Sequence, residues 1–382
     1  MKKKTLSLLL AAALACGLLA GCGKTTQTSA PSNPTSESQK EESSVPTQAP
    51  AATEEPKAET PVATEAPVEN HDGMYRSELT NEWIDEALKN QRPIAVLVDN
   101  EKTALDHYGL TQADIVYELM NSTANGEITR FMAIVKDWNS ITRFGSIRSV
   151  RPTNFMLAPE YDAVLVHDGG PFYIDAYLKN PWIDNLSGGF ARIENGKPRE
   201  FTEYVTTGEI ASRLKANKIS EEYTSYYQGA HWKFADETAP MKLMAARSDA
   251  KACTLVDLPF PHNGSELEYD ADSNTYLYSE YGAPHIDLEN DKKQLAFTNV
   301  VLQCAEVVQL DANGYMEFKL FQQSGKGYYI TGGAAIPVTW EKGVDYEPTK
   351  FYDMSGNEII LNTGKTYVAL VSTDRWDELV LK

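Results

Sequence analysis

The chain has few positive charges for its length, and this shortage limits its choice of partners. Its 382 residues carry 35 Lys and Arg against 54 Asp and Glu, which gives a formal net charge of −19. A general nucleic-acid binder presents a basic stripe to the phosphate backbone, so this balance argues against nucleic acid as a partner. The six histidines stand far apart, without the short spacings of a zinc site.

Cysteine is scarce as well, with four in the whole chain and no C-x-x-C pair. The spacing therefore supports neither a zinc ribbon nor a thioredoxin-type redox centre. Cys253 and Cys304 are the two that lie far from the amino terminus. Two alternatives stay open for them: one disulfide, or two isolated buried thiols.

The amino terminus has the layout of a secretory signal. Lys2, Lys3 and Lys4 precede an apolar run over residues 6–19, which is too short and wrongly flanked for a membrane-spanning helix. The tetrapeptide that ends at Cys22, LAGC, resembles the bacterial lipobox, which implies removal of residues 1–21 and diacylglyceryl attachment to Cys22. We therefore expect a lipid anchor on the extracytoplasmic side of the cell membrane. The alternative is an ordinary secretory signal with a chance cysteine.

Residues 22–75 are of low complexity, rich in Ser, Thr, Pro and Glu with almost no large apolar side chain. Such a segment cannot bury enough surface to offset the entropy of ordering. We expect it to be a disordered spacer between the lipidated cysteine and a folded part.

The remaining residues divide into two stretches with different patterns. Over 80–245, apolar runs such as PIAVLVD (93–99) alternate with helix-like segments, including 172–179. Over 250–382, short strand-like runs are separated by Gly- and Asn-containing turns. The predicted fold class is α+β. It comprises an α/β-like amino-terminal domain, whose mixed sheet is covered by helices, and a smaller, mostly antiparallel β domain.

The scarce positive charge gathers in one segment, GSIRSVRP, at residues 145–152. Arg148 and Arg151, with Arg130 upstream, could bind a phosphate or carboxylate through charge-assisted hydrogen bonds. A short helix starting near Pro152 would add free backbone N–H groups. The alternative is that these arginines pair with the chain's own acids, such as Asp114, Glu118 or Asp162.

A second candidate segment, HDGGP, follows a predicted strand. His167, Asp168, Gly169 and Gly170 would then lie at the carboxyl end of a strand, where open α/β sheets bind ligands, and the glycines would let the backbone approach a ligand closely. The alternative is a tight turn in which His167 is satisfied locally. Carboxylates in this region, Asp99, Asp114 and Asp168, could hold Mg²⁺ together with a phosphate.

Several runs carry a family resemblance. The runs RPIAVLVDN, GLTQADIVYEL, GEITRFMAIV, GSIRSVRP and YDAVLVHDGG resemble the amino-terminal domain of the YerB-like bacterial lipoproteins. The runs APHIDLENDKKQLAFTNVVL and GKGYYITGGAAIPVTWEK resemble the carboxy-terminal domain of the same family. The resemblance implies architecture and location rather than a reaction.

A shorter likeness, over about residues 93–170, is to the LytR-CpsA-Psr phosphotransferases, which move polyprenyl-pyrophosphate-linked glycopolymers onto peptidoglycan. It implies a metal–pyrophosphate site near Asp99, Asp114, Arg130, Arg148 and Arg151. We expect a binding or scaffold lipoprotein of the cell envelope with an anion site, whose partners are cell-wall glycopolymer, polyprenyl pyrophosphate or envelope proteins. A phosphotransferase of this type, using Mg²⁺, is the alternative.

Overall fold

The computed structural model describes residues 71–382. The predicted signal segment 1–21, the lipidation site Cys22 and nearly all of the predicted spacer lie outside the described residues. The spacer prediction extended to residue 75, but Met74 and Tyr75 already belong to the strand Met74–Arg76. Among residues 71–382, no helix has both the length and the apolar character needed to cross a membrane.

A mixed sheet of eleven strands lies at the centre of the described part. In chain order its strands are β1 (Ile94–Asp99), β2 (Ile115–Met120), β3 (Thr129–Val135), β4 (Val164–His167), β5 (Asn185–Ser187), β6 (Lys251–Ala252), β7 (Asn299–Ala305), β8 (Gln323–Thr331), β9 (Ala334–Lys342), β10 (Lys350–Asp353) and β11 (Thr366–Ser372). The spatial order is β6-β9-β8-β7-β11-β2-β3-β1-β4-β5, and β10 also pairs with β9.

Strands from both predicted domains share this sheet. β11 pairs in parallel with β2 from Thr366↔Ile115 to Leu370↔Leu119. Every residue of β2 and β11 is buried, as expected for continuous apolar runs that are covered on both faces. Residues 71–382 lie in one compact unit, so the segments 80–245 and 250–382 divide the sequence but are joined in space by the sheet.

Smaller sheets surround the central one in the described part. A six-stranded sheet contains Leu255–Asp257, Glu266–Asp270, Thr275–Glu280, Ala283–Pro284, Ala296–Phe297 and Val380–Leu381. A three-stranded sheet contains Arg143–Gly145, Ala191–Arg192 and Glu203–Thr206. The two-stranded pairs are Met74–Arg76 with Trp83–Asp85, Lys233–Phe234 with Ile360–Leu361, and Val307–Gln309 with Met316–Phe318.

Helices are short throughout the described residues. The α-helices are Ala124–Glu127, Asn154–Leu157, Glu209–Asn217 and Leu243–Ala246. Single 3₁₀ turns are Glu86–Leu88, Lys102–Ala104, Leu110–Gln112, Trp138–Ser140, Ala158–Tyr161, Phe172–Asp175, Tyr177–Lys179, Arg199–Phe201, Asn290–Lys292 and Trp376–Glu378. The α+β class is confirmed. The helix predicted over 172–179 is wrong, because two 3₁₀ turns separated by Ala176 occupy that segment.

Two hydrophobic clusters pack against the central sheet. Alternate residues of β1 divide between them: Val96 and Val98 belong to one cluster, Ala95 and Leu97 to the other. Cys253 and Cys304 are both free and buried, so the structure matches the isolated-thiol alternative.

Candidate functional site

The arginine-rich segment lies between the carboxyl ends of β1 and β4. Asp99 N donates to Ser146 O at 3.1 Å, and Arg148 N donates to Leu97 O at 2.8 Å. On the other side, Asp168 N donates to Arg148 O, and Val150 N donates to Gly169 O, each at 3.1 Å. The segments GSIRSVRP and HDGGP are therefore hydrogen-bonded neighbours at one end of the sheet, where parallel strands present their carboxyl ends to ligands.

Asp99 lies among the arginines of this segment. Its carboxylate forms an ion pair with the Arg148 guanidinium, and Arg130 Nη2 lies 4.0 Å from the same oxygen, Oδ2. Arg130 is placed there by strand pairing, because it stands directly opposite Asp99 where β1 meets β3. Arg148 also lies 3.2 Å from Glu200, a largely exposed carboxylate at the rim.

The other two guanidinium groups, those of Arg130 and Arg151, form their hydrogen bonds with neutral acceptors. Arg130 Nη1 donates to Asn121 Oδ1 at 3.1 Å and to Ser149 O at 2.6 Å. Arg151 Nη1 donates to Val150 O at 2.9 Å, and its guanidinium lies 4.4 Å from the centre of the Tyr315 ring. The Nε atoms of Arg130 and Arg151 are buried without a hydrogen-bond partner among the described residues.

Positive charge exceeds negative charge at this position. Arg130 is 7% exposed and Arg151 is 8% exposed. Among residues 71–382, Asp99 is the one deeply buried carboxylate that contacts these arginines. Burial, with repulsion from Arg151 and Arg148, lowers the pKa of Arg130 to about 9 against the attraction of Asp99. Burial and Arg148 lower the pKa of Arg151 to about 10. We call Arg130, Arg148, Arg151 and Asp99 the arginine cluster.

The acids considered as alternative partners of these arginines are occupied elsewhere. Asp162 pairs with Arg92 at 3.2 Å. Glu118 is fully buried and accepts hydrogen bonds from Asn100, Thr129, Ser265, Tyr278 and Tyr367. Asp114 accepts a hydrogen bond from the main-chain N–H of Lys136 at 2.7 Å. The arginine cluster is thus neutralised in part by Asp99 and Glu200, and by none of these three acids.

Asp114 does not join the cluster, although the sequence placed it there. It lies at the start of β2 and its N–H donates to Ile134 O near the end of β3, whereas Arg130 is at the beginning of β3. The two positions are roughly 15 Å apart along the strand. Burial raises the pKa of Asp114 to about 6, against the attraction of Lys365.

The backbone at the start of the following helix is not a free anion site. The helix Asn154–Leu157 has four residues, and Arg151 N already donates to Asn154 Oδ1 at 2.8 Å. Phe155 N donates to Pro152 O at 3.0 Å. The expected contribution of free N–H groups near Pro152 is therefore wrong, because local acceptors satisfy them.

His167 is held as a structural residue. Its Nδ1 lies 2.8 Å from Gly169 O, so Nδ1 carries the proton, and its Nε2 accepts from Asn185 Nδ2 at 3.1 Å. Burial lowers its pKa, which keeps the ring neutral. Asp168 is partly exposed and lies 3.2 Å from Arg192. This geometry corresponds to the tight-turn alternative for His167.

The two glycines of that loop differ in how tightly they are packed. A Cβ on Gly170 would meet Ile174 Cδ1 at 2.6 Å and Val150 Cγ1 at 3.0 Å. Gly169 has φ +70 and open space around it. Gly170 thus allows the loop to pack directly on the arginine-rich segment, and Gly169 makes the turn.

The predicted magnesium ligands do not fit a common metal site. Asp99 is committed to arginines, Asp114 lies at the other end of the sheet, and Asp168 pairs with Arg192. Within residues 71–382, no group of three or more His, Cys, Asp or Glu side chains could hold a metal ion. We derive no metal-dependent step from this arrangement.

Sequence reasoning missed the residues that surround the arginines. Asn121 and Tyr315 come from distant parts of the chain, and a bridge between Ser122 and Tyr315 brings them together. None of the five cavities described for residues 71–382 is lined by the arginines of the cluster. Arg148, with 24% of its side chain exposed, is the member that solvent reaches best.

The structure is that of an α+β protein with a cluster of arginines at the end of two strands. Comparison with known proteins identifies the family to which the chain belongs. The family model described as "Protein of unknown function (DUF3048) N-terminal domain" matches residues 79–220. The model of the carboxy-terminal domain of the same family matches residues 256–368. The chain belongs to this YerB-like family. The recognition made from the sequence runs is thereby confirmed.

The sequence relative and the solved structure that this chain resembles both bear the name YerB and come from Bacillus subtilis. A protein of strain 168 named as the lipoprotein YerB is 26% identical over 276 residues, covering 70% of this chain and 78% of that protein. The crystal structure of a YerB protein from Bacillus subtilis superposes with a TM-score of 0.67 at 22% identity, covering 81% of this chain and 99% of that one. This structural likeness shows the fold alone.

Proposed function

We propose that this chain is a lipid-anchored, extracytoplasmic protein of the bacterial cell envelope that binds an anionic ligand through Arg130, Arg148 and Arg151. The location is supported by the lipobox-like sequence ending at Cys22 and by the name of the Bacillus relative. The role is binding or scaffolding, in contact with cell-wall glycopolymer, polyprenyl pyrophosphate or envelope proteins.

One observation carries the anion site. Arg130 and Arg151 are deeply buried, yet within residues 71–382 the Nε atom of each has no hydrogen-bond partner, and Asp99 is the one buried carboxylate of these residues that contacts the arginines. Buried cations are expensive to leave uncompensated. A phosphate or carboxylate supplied by a ligand would provide the missing negative charge and accept the free N–H groups.

The phosphotransferase alternative finds less support. It requires Asp99 and Asp114 beside one metal–pyrophosphate group, but the strand register separates them by most of the length of β3. The Asp99 carboxylate is already paired with Arg148, so it is not free to act as a metal ligand.

The anion site is tested by calorimetric titration of the full-length chain with pyrophosphate and with inorganic phosphate. We expect pyrophosphate to bind, and we expect Arg151→Met to weaken binding by about tenfold or more, because a charge-assisted hydrogen bond contributes about 1.5–3 kcal/mol. Arg375→Met is the matched control, since Arg375 is already paired with Glu127 and Glu378. Equal affinity in all three proteins would reject the site.

The anchor is tested separately by labelling cells with a fatty-acid analogue. Label should enter the wild-type chain and Cys253→Ser, because Cys253 is buried. Cys22→Ser should take up none and should leave the membrane fraction. Labelling of Cys22→Ser equal to wild type would contradict the lipid anchor.

A further inference from the structure

The largest of the five cavities lies at the other side of the central sheet from the arginine cluster. It has a volume of about 790 Å³ and is bordered by β6, β8, β9 and residues 376–381. Four strands separate β8 from β1, which places the cavity roughly 24 Å from the cluster across the sheet. Its volume is in the range of sites for small organic ligands. It is therefore a separate candidate site.

The floor of this cavity is an open part of the face of the sheet. Tyr328 stands opposite Pro337 where β8 pairs with β9, and both residues are half-buried. β6 pairs with β9 as far as Ala335, and β10 pairs with it from Val338 onwards. Pro337 lies in the gap between these two partners, where a strand can lack an N–H group. The floor thus presents two flat rings side by side.

The wall beside this floor is apolar and fixed by packing. Trp376 is 7% exposed, and its ring is parallel to that of Tyr328 within 4°, with the ring centres 5.9 Å apart. Leu379 and Leu381 continue the wall, and Leu381 is held by strand pairing with Val256. The aromatic faces therefore have a fixed orientation towards the cavity.

The rim of the cavity carries an excess of positive charge. Asp249 is compensated by Arg247, at 3.1 Å. Lys251 and Lys326 are exposed, and neither forms an ion pair with a carboxylate of residues 71–382. Lys326 Nζ lies 5.4 Å from the centre of the indole ring on the wall. With Asp377 as the one uncompensated acid on the rim, the two lysines leave one positive charge in excess.

We propose that this cavity binds an acidic saccharide, with the C–H face of one sugar ring on Tyr328 and a sugar carboxylate beside Lys326. A sugar ring has an apolar C–H face and an edge of hydroxyl groups. The face of an aromatic ring carries negative charge and attracts the weakly positive C–H groups. The carboxylate forms a charge-assisted hydrogen bond with the lysine.

Other ligand classes use only part of this lining. An acyl chain would cover the aromatic floor but would offer no hydrogen bonds to Lys251 and Asp377, which it would remove from water at a cost. An inorganic anion would pair with the lysines and leave the floor uncovered. A saccharide uses both, because its hydroxyl groups donate to Asp377 and accept from Lys251.

The test is calorimetric titration of the full-length chain with trigalacturonic acid and with its methyl ester. The ester keeps the sugar rings but has no charge. We expect the acid to bind about tenfold more tightly than the ester, since the ester cannot pair with Lys326. Lys326→Gln should remove this preference by weakening binding of the acid alone. Tyr328→Leu should weaken binding of both sugars, because the aromatic face is lost.

The chain offers a matched control. Lys102 is also exposed and lies 5.8 Å from the centre of the Tyr281 ring, but it belongs to another cavity. Lys102→Gln should therefore bind both sugars as the wild-type chain does. Binding should also change the tryptophan fluorescence, and Trp376→Phe should abolish this change while it keeps an aromatic ring in place.

Each outcome decides the proposal. No binding of trigalacturonic acid, equal affinities for the acid and its ester, or equal affinities in Lys326→Gln and Lys102→Gln would overturn it. Octanoate that binds as tightly as the sugar would show that the cavity takes an acyl chain instead. Loss of sugar binding in Arg151→Met would place the sugar at the arginine cluster and also overturn the proposal. Lys326 is exposed, so its variant decides the question even if Trp376→Phe does not fold.

Discussion

The guanidinium group of Arg151 lies 4.4 Å from the ring centre of Tyr315, 164 positions further along the chain. Tyr315 is held near the arginine cluster by the bridge between Ser122 and Tyr315. The contact is favourable for a cation beside an aromatic face, but it does not supply the negative charge that the cluster lacks. The carboxy-terminal half of the chain therefore helps to build a site whose three arginines and Asp99 come from the amino-terminal half.

The charge excess at the cluster predicts a conflict between stability and binding. Burial and Arg148 lower the pKa of Arg151 to about 10, so its charge is held at a cost in the ligand-free protein. We expect Arg151→Met to raise the free energy of unfolding by about 1 kcal/mol without ligand, because an uncompensated buried charge is removed. Urea denaturation with and without pyrophosphate measures this.

With pyrophosphate present, the wild-type chain should become more stable than Arg151→Met, since a ligand stabilises only a protein that binds it. Arg375→Met should lose a few tenths of a kcal/mol at most, as expected for partly exposed ion pairs. A clearly less stable Arg151→Met chain in the absence of ligand would show that Arg151 is already compensated.

A buried ion pair joins the two halves of the chain at another place. Lys342 Nζ lies 2.8 Å from Glu160 Oε1, and both side chains are completely buried. Glu160 also accepts from Thr349 N at 2.9 Å and from Thr349 Oγ1 at 2.8 Å. Lys342→Met should cost about 3–5 kcal/mol, because it leaves a buried carboxylate without its cation. The double variant Glu160→Gln with Lys342→Met should recover part of this loss in urea denaturation, and a loss no smaller than in the single variant would argue against the pairing.

Glu160 should make the protein sensitive to acid. Burial alone would raise its pKa, but Lys342 and His231 outweigh burial and lower the pKa to about 2. The folded state thus binds a proton at lower pH than the unfolded state, whose pKa is about 4.3. The stability contributed by Glu160 is present above about pH 4 and is lost as the pH falls towards 2. Denaturation midpoints should fall over this window, and Glu160→Gln should flatten the fall.

Glu118 and Glu280 predict the opposite dependence at higher pH. Burial, together with Glu280, raises the pKa of Glu118 to about 7, and burial raises that of Glu280 to about 8. The folded state holds their protons where the unfolded state has released them. The stability that these two groups contribute should therefore be full below about pH 4, fall progressively above it by up to about 1.4 kcal/mol per pH unit for each group, and be lost beyond about pH 8.

Urea midpoints at about pH 6 and about pH 9 measure this second effect. Glu118→Gln should reduce the difference between the two midpoints, since the amide has no proton to lose. An unchanged difference in both Glu118→Gln and Glu280→Gln would mean that neither carboxyl group holds its proton in the folded state.

The two described cysteines should be unreactive in the folded protein. Both are buried, and burial raises the pKa of Cys253 to about 11 and also raises that of Cys304. The thiolate is the reactive form. Alkylation by iodoacetamide at about pH 8, followed by mass spectrometry, should modify both residues in urea and neither in native buffer. Rapid native modification of Cys253 would contradict its burial.

Local sequence pattern was sufficient for much of the sheet. The run at 93–99 predicted a strand buried on both faces, and β1 is buried at every position. Burial on both faces requires a continuous apolar run, and such a run is visible in one segment alone. The helix predicted over 172–179 was wrong, because apolar spacing alone does not distinguish an α-helix from two successive 3₁₀ turns.

The sequence by itself determined that Arg148 and Arg151 stand in one short segment, with Arg130 upstream, and that acidic side chains outnumber basic ones. Only the tertiary structure decided that Asp99 faces these arginines while Asp114 does not, because strand register sets which end of the sheet each residue occupies. Only the tertiary structure brought His107 to His285, 178 positions away. Contacts of that separation depend on how distant segments pack together, and no local pattern of residues records them.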